Sequence, residues 1–150
     1  MIALLQRVTQ AEVAVEGTRI ARIGAGLLCF IGVEQRDSER EAERLLERVL
    51  TYRVFADSAG RMNLSLAETG GELLLVPQFT LAADTRKGAR PSFTSAAAPE
   101  LGRALFAYCC ASAQRRHARV ACGQFAADMQ VSLINDGPVT FWLQVAPTRG

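Results

Sequence analysis

The residue types that usually carry out hydrolysis are few in this sequence, and they are not spaced for it. His117 is the only histidine. It lies in the basic run of residues 115–119, which favours an exposed position or a helix-dipole interaction over a general-base role. The sequence has no G-x-S-x-G, H-E-x-x-H or P-loop motif. Asp128 and Asp136 are candidate acids, but nothing spaces them as a catalytic pair. Any hydrolysis must therefore use something other than a Ser-His-Asp relay.

A short polar segment directly follows a predicted buried strand. Gln78, Phe79 and Thr80 come after Pro77, and backbone N–H groups are released from a sheet where such a strand ends. Free N–H donors can form an oxyanion hole, which stabilises the negative charge that develops on an ester oxygen during hydrolysis. An ordinary turn from strand to loop explains the same residues and, taken alone, they favour it.

A second segment, Asn-Asp-Gly-Pro-Val-Thr at residues 135–140, is also poorly explained by packing alone. Asn-Asp-Gly is typical of hairpin turns, but Pro138 removes a backbone donor directly after Gly137. Proline also allows a cis peptide bond, which would turn neighbouring carbonyl oxygens outward as a rigid pair of acceptors. The residues are equally compatible with a tight turn and with such a pair of carbonyl acceptors.

The elements that must position these segments are strands and two main helices. Six segments have the apolar alternation or the continuous apolar run of a β-strand: 11–16, 19–23, 27–33, 73–76, 131–134 and 139–145. A turn at residues 17–18 makes a hairpin of the first two, and residues 135–138 join the last two. Ser38 and Glu41 have the spacing of a capping box at the start of one helix, and Pro99 suits the first turn of the other.

The order of these elements predicts the fold class. Strands outnumber helices and do not alternate with them regularly, so we expect an α+β domain with a largely antiparallel, barrel-like sheet. One domain covers residues 1–150, with residues 146–150 as a short tail.

Composition limits the class of protein. With 150 residues, 49% hydrophobic and 21% charged, the chain can bury a core as one domain. Its net charge of +2 excludes a polybasic clamp on nucleic acid but permits binding of one RNA end. No apolar run could span a membrane and no signal-peptide core develops, so we expect a cytosolic protein without a membrane partner. The four cysteines form no C-x-x-C pair and no Cys/His cluster, which predicts core thiols, a reducing compartment, and neither metal nor other cofactor.

Several segments resemble the signature sequences of bacterial D-aminoacyl-tRNA deacylases. They occur in the same order from Met1 to about Val145, at residues 5–8, 78–80, 87–93, 125–133 and 135–140. Each segment alone is a weak signal, but several in register along the chain are specific to the family.

The resemblance implies a homodimer that acts on the acceptor end of aminoacyl-tRNA, with no DNA partner. Such enzymes cleave D-amino acids from tRNA, and glycine from the tRNA for alanine, while sparing L-aminoacyl-tRNA. Gly137 and Pro138, joined by a cis bond, would enter the partner subunit's pocket, where their carbonyl oxygens hold the α-amino group and leave no room for an L side chain. The 2′-hydroxyl of the terminal adenosine would help to activate water, which agrees with the missing side-chain relay.

The resemblance also assigns roles to single residues. Those at the reaction centre are Gln78, Phe79 and Thr80, the last two as main-chain donors. Those that bind substrate are Gly137, Pro138, Phe125, Met129, Lys87 and Arg90. Of these, Phe125 and Met129 would form the adenosine pocket, and Lys87 and Arg90 would meet RNA phosphate from the loop near residues 88–95. Arg7 and Asn135 would support the Gly-Pro turn, Arg7 by hydrogen bonding.

One position departs from the family pattern, and two other functions remain open. The family usually has serine before Gln-Phe-Thr, whereas Pro77 offers neither a hydroxyl nor a backbone N–H. We expect activity to survive, because the donors lie further along the chain. In the first alternative, Thr80 attacks the ester, although no adjacent base is visible. In the second, the protein binds tRNA ends or DNA without catalysis, against which its low charge weighs.

Overall fold

Six strands form one mixed, nearly closed sheet in the computed structural model, which describes residues 1–148. The strands are β1 (Ile2–Val15), β2 (Thr18–Ile23), β3 (Gly26–Gly32), β4 (Phe55–Ala56), β5 (Met62–Leu64), β6 (Glu72–Pro77), β7 (Val120–Cys122) and β8 (Met129–Gln144). The helices are α1 (Glu39–Thr51), α2 (Leu66–Thr69) and α3 (Pro99–Arg116), with a 3-10 turn at Phe79–Ala82. β1 pairs antiparallel with β2, β3 and β8, β6 pairs parallel with β3 and β7, and β4 and β5 form a separate hairpin. The predicted α+β class with a barrel-like core and two main helices is confirmed.

The two central strands, β3 and β6, are buried on both faces, which explains their continuous apolar runs. Alternate side chains pack on opposite faces: Leu27, Cys29, Ile31, Leu73 and Leu75 join the core with α1 and α3, and Leu28, Leu74 and Val76 join the core with β1 and β2. Burying one large apolar side chain contributes about 1.5–3 kcal/mol relative to leaving it exposed. Because β3 and β6 run parallel, with Ile31 opposite Pro77, both strands end at the same edge of the sheet.

The predicted hairpin near the N-terminus is present, with a different turn. Its two-residue loop is Glu16 and Gly17, whose φ angles of 50° and 78° fit a type I′ turn. Thr18 already pairs with Val15. The preceding strand starts at Ile2 rather than at Ala11, so β1 is long enough to pair with three other strands.

The prediction of two separate strands at 131–134 and 139–145 is wrong. Both stretches belong to β8, which pairs antiparallel with β1 over residues 129–135 and again over residues 140–144. Asn135 pairs with Val8 and Thr140 with Gln6, so the residues between Asn135 and Thr140 loop out of the pairing without reversing the chain. A tight hairpin is therefore excluded, and the segment is a large bulge in one strand.

Local signals at the helix ends behave as predicted. Glu41 accepts hydrogen bonds from the Ser38 backbone N–H at 2.8 Å and from its hydroxyl at 2.5 Å, which completes a capping box on α1. Pro99 occupies the first turn of α3. The predicted tail has no regular structure over residues 146–148, and residues 149–150 lie outside the described part. No helix within residues 1–148 is long and apolar enough to cross a bilayer.

Candidate active site

The polar segment after β6 presents two free backbone donors. The Gln78 N–H still bonds to the Ile31 carbonyl oxygen at 2.8 Å, and the 3-10 turn starts at the next residue. The first N–H groups of a helical turn have no acceptor within it. Accordingly, the Phe79 and Thr80 N–H groups donate no hydrogen bond within residues 1–148, and both residues are exposed.

Close packing holds this turn against the end of β3. A Cβ on Gly32 would lie 2.8 Å from Leu81 Cβ and 3.3 Å from the Gln78 carbonyl oxygen, so only glycine allows this approach. The Gln78 side-chain amide also donates a hydrogen bond to the Thr80 hydroxyl. The geometry of the donor pair is therefore set by the sheet edge rather than by a mobile loop.

A cavity of about 550 Å³ opens beside these donors. The ends of β3 and β6, the first turns of α3 and the start of β8 form its walls. Its lining residues are Phe30, Ile31, Val33, Val76, Pro77, Gln78, Phe79, Ala97, Ala98, Pro99, Gly102, Phe106, Phe125, Ala126, Ala127, Asp128, Met129 and Val131. The lining is mainly apolar, with the Gln78 amide and the Asp128 carboxylate as its polar side chains, which suits a flat, partly apolar ligand such as a nucleobase.

The structure brings four of the predicted site residues together at this cavity: Gln78, Phe79, Phe125 and Met129. Thr80 lies beside them in the turn but does not line the cavity. Ala126 follows Phe125 and precedes Met129 in the sequence, and its φ of 64° is an unusual value for a residue with a side chain. This left-handed residue turns the chain back so that Phe125 and Met129 can face the same space.

The Gly-Pro segment lies outside the cavity of its own chain. Gly137 and Pro138 are exposed, and the peptide bond between them is cis. The Arg7 Nε donates to the Asp136 carbonyl oxygen at 2.9 Å, and Nη1 donates to the Val54 carbonyl oxygen at 2.7 Å. Arg7 therefore ties the looped-out segment to the body of the protein. Asn135, at the start of the bulge, is held in the sheet by its pairing with Val8.

Lys87 and Arg90 are exposed on the loop that follows the turn, and neither lines the cavity. The loop base is closed by paired hydrogen bonds between Asp84 and Ser92, at 2.8 and 3.0 Å. Arg86 bonds to Asp84, which lowers the pKa of that carboxyl to about 2. Phe93 packs on Phe79 with ring centres 5.3 Å apart, so the loop is anchored next to the free donors.

The thiols and the histidine do not belong to this site. Cys29 and Cys109 are buried, and burial raises the pKa of both, that of Cys109 to about 12. Cys110 and Cys122 are half-buried, and their hydrogen bond raises the pKa of Cys110. At the end of α3, His117 donates from Nε2 to a backbone carbonyl oxygen 2.6 Å away. Within residues 1–148, no group of three or more His, Cys, Asp or Glu side chains is placed to hold a metal ion.

Sequence reasoning missed the cavity wall that α3 contributes. Phe106 and Gly102 line the cavity from this helix, and Arg103 stacks on Phe125 beside them. The available signal was Gly102 itself, because a glycine inside a helix often marks a close approach. A Cβ there would lie 3.3 Å from the Phe125 ring.

The sequence is similar to known proteins over nearly its whole length. Residues 4–144 match the family described as D-Tyr-tRNA(Tyr) deacylase. A D-aminoacyl-tRNA deacylase of Nitrosococcus oceani is 65% identical over 147 residues, covering 98% of this chain and 95% of that protein. One of Escherichia coli O1:K1 / APEC is 57% identical over 145 residues, covering 97% of this chain and 100% of that protein.

Solved structures have the same fold. A c-Myc DNA Unwinding Element Binding Protein superposes with a TM-score of 0.93 at 35% identity, covering 98% of this chain and 100% of that one. A probable eukaryotic D-amino acid tRNA deacylase gives a TM-score of 0.84 at 19% identity, with 96% and 98% covered, and supports the fold alone. From the family match and the full-length relatives, this chain belongs to the D-Tyr-tRNA(Tyr) deacylase family.

Proposed function

We propose that this protein hydrolyses the ester bond between a D-amino acid and the 3′ end of a tRNA in the cytosol. The observation that carries the proposal is the pair of free N–H groups at Phe79 and Thr80, placed beside a mainly apolar cavity in a chain of this family. Two adjacent donors can bind the ester carbonyl oxygen and stabilise the charge that it gains when water attacks. Removing one such donor typically costs about 10²–10³ in kcat.

The cavity accounts for recognition of the RNA end. We propose that the terminal adenosine enters it, with the base against Phe125 and Met129 and the ribose toward Gln78. The attacking water is then activated by the 2′-hydroxyl of that ribose. This route fits the site, because within residues 1–148 the exposed Asp128 is the only ionisable side chain that lines the cavity, and the histidine and thiols lie elsewhere. Lys87 and Arg90 supply positive charge for RNA phosphate from the exposed loop that Phe93 anchors on Phe79.

Selection by handedness requires a second copy of the chain. Within residues 1–148, β8 pairs with β1 alone, so no strand covers its other edge along Met129–Gln144, and Ile134 and Trp142 in this strand are exposed. We propose that this strand lies in a homodimer interface and that Gly137 and Pro138 enter the partner's cavity. Their carbonyl oxygens then accept hydrogen bonds from the substrate's α-ammonium group, and an L side chain would collide with them. Glycine has no side chain, so glycine on the tRNA for alanine is accepted as well.

The test is a comparison of D-tyrosyl-tRNA and L-tyrosyl-tRNA as substrates. Wild-type protein should release D-tyrosine rapidly and leave the L ester at its spontaneous rate. Release of neither amino acid, with tRNA still bound, would establish a non-catalytic binding module instead. Equal release of both would leave an esterase without chiral selection. Light scattering of the same sample should give twice the monomer mass of 16.2 kDa.

A further inference from the structure

Arg103 is a cation at the edge of the cavity that has no part in the function proposed above. Its side chain is exposed in the second turn of α3, and its guanidinium carbon lies 4.9 Å from the centre of the Phe125 ring. Pro99 and Gly102, from the same end of the helix, line the cavity together with Phe125. Because Gly102 has no side chain, the ring can lie close to the helix, with the guanidinium over its face.

The guanidinium of Arg103 has its hydrogen-bonding capacity free. Within residues 1–148 it makes no hydrogen bond or ion pair, whereas Arg86, Arg116 and Arg119 each face a carboxylate. An arginine offers five N–H donors in a fixed plane, and stacking on an aromatic ring restricts that plane. A guanidinium held near a ring and facing no carboxylate suits an anion with two adjacent oxygens, and a phosphate binds such a group through parallel N–H bonds.

We propose that Arg103 binds the phosphate that joins the terminal adenosine of the tRNA to the nucleotide before it. The inference rests on the proposed function, since it requires the adenosine to occupy the cavity. The aminoacylated side of that ribose is directed to Phe79 and Thr80 after β6. Its 5′ phosphate must leave the cavity elsewhere, and the wall formed by α3 carries the free guanidinium. Binding there holds the nucleoside at both ends and adds affinity for the RNA end without contact with the reacting ester.

Nucleotide binding tests the inference without catalysis. Adenosine and adenosine 5′-monophosphate are titrated calorimetrically into the wild type and into Arg103→Gln and Arg115→Gln variants. Arg115 is the matched control, because it is exposed on the same helix about 18 Å further along its axis. We expect the wild type and Arg115→Gln to bind the 5′-monophosphate about tenfold more tightly than adenosine. Arg103→Gln should bind both ligands with the affinity that the wild type has for adenosine.

Three results would overturn the inference. If Arg103→Gln lost affinity for both ligands equally, Arg103 would only support Phe125. If the variant bound both ligands as tightly as the wild type does, Arg103 would contact neither ligand. If the wild type bound the 5′-monophosphate no more tightly than adenosine, the protein would have no phosphate subsite. With D-tyrosyl-tRNA, Arg103→Gln should raise KM about tenfold with little change in kcat, and Arg103→Lys should restore part of the loss. A wild type that releases no D-tyrosine would instead refute the proposed function.

Discussion

Replacing Gly137 by alanine tests the role of the looped-out segment of β8. Gly137 has a φ of 131°, where residues with side chains are rarely found, so alanine costs about 1–3 kcal/mol in backbone strain. Its Cβ would also lie 2.9 Å from Val139 Cγ2 and 3.2 Å from Arg7 Nη2, so one of these groups must move. Since Arg7 ties the segment to the protein, we expect the carbonyl oxygens to shift. A displacement of about 1 Å at a reacting centre can cost about 10²-fold in rate.

The assay measures kcat/KM for D-tyrosyl-tRNA, tRNA affinity and thermal unfolding. The matched control is Gly60→Ala, because Gly60 also has a positive φ of 79° but open space around its Cβ position. Both variants should lose stability, with Tm falling by about 2–4 °C for each kcal/mol. Only Gly137→Ala should lose about 10²-fold in kcat/KM, with tRNA affinity nearly unchanged. Equal rates for the two variants, or equal loss of binding and turnover in Gly137→Ala, would refute the reasoning.

Three further substitutions test the role of the backbone donors, of the Thr80 hydroxyl and of the capping box on α1. Pro77→Ser should change the deacylation rate by less than about tenfold, because the free donors lie further along the chain; a gain of several orders of magnitude would contradict this. Thr80→Ala should keep most activity, since only its backbone N–H is used, whereas loss of all turnover would favour the Thr80 nucleophile. Glu41→Gln should cost about 1 kcal/mol at neutral pH, measured by urea unfolding, because it weakens the capping box. The hydrogen bond from Ser38 lowers the pKa of Glu41 from 4.5, so this stabilisation is present above the ordinary pKa and disappears as the pH falls through the lowered one. A difference between the two proteins that is independent of pH would refute that explanation.

Short-range signals explain which parts of the fold the sequence predicts. The capping box at Ser38 and the hairpin around Gly17 depend on residues within a few positions of each other. The segment at Asn135 carries the same kind of local signal, yet it makes no hairpin. Its flanks gain more by pairing with β1 on both sides of the bulge than by pairing with each other. Turn chemistry is compatible with either outcome, and the long-range partner decides between them.

The same distinction applies to the site. The segment of Gln78, Phe79 and Thr80 could be singled out because the polar residues Gln78 and Thr80 follow an apolar run. The cavity beside them could not, because parallel pairing of β3 with β6 and packing of α3 bring its walls together from distant positions. Arg103 is the clearest case, since none of the residues near it in the sequence indicates that the aromatic ring of Phe125 lies against its guanidinium.

If the donors and the Gly-Pro segment act from different subunits, two inactive chains should restore one another. Phe79→Pro removes a backbone donor at a position where proline is tolerated, the first residue of a helical turn. Gln78 before it has φ −141° and ψ 84°, which is outside the α region that a following proline disfavours. Phe79→Ala, which keeps the N–H, is the control and should stay much more active.

Mixing Phe79→Pro with Gly137→Ala chains during refolding then distinguishes the two arrangements. Random pairing makes half of the dimers mixed, and each mixed dimer has one site with an intact donor pair facing an intact Gly-Pro segment, so activity should reach about one quarter of the wild type. If both elements acted within one chain, every site would carry a defect. The mixture would then be no more active than the average of the two parents, and the cross-subunit arrangement would be wrong.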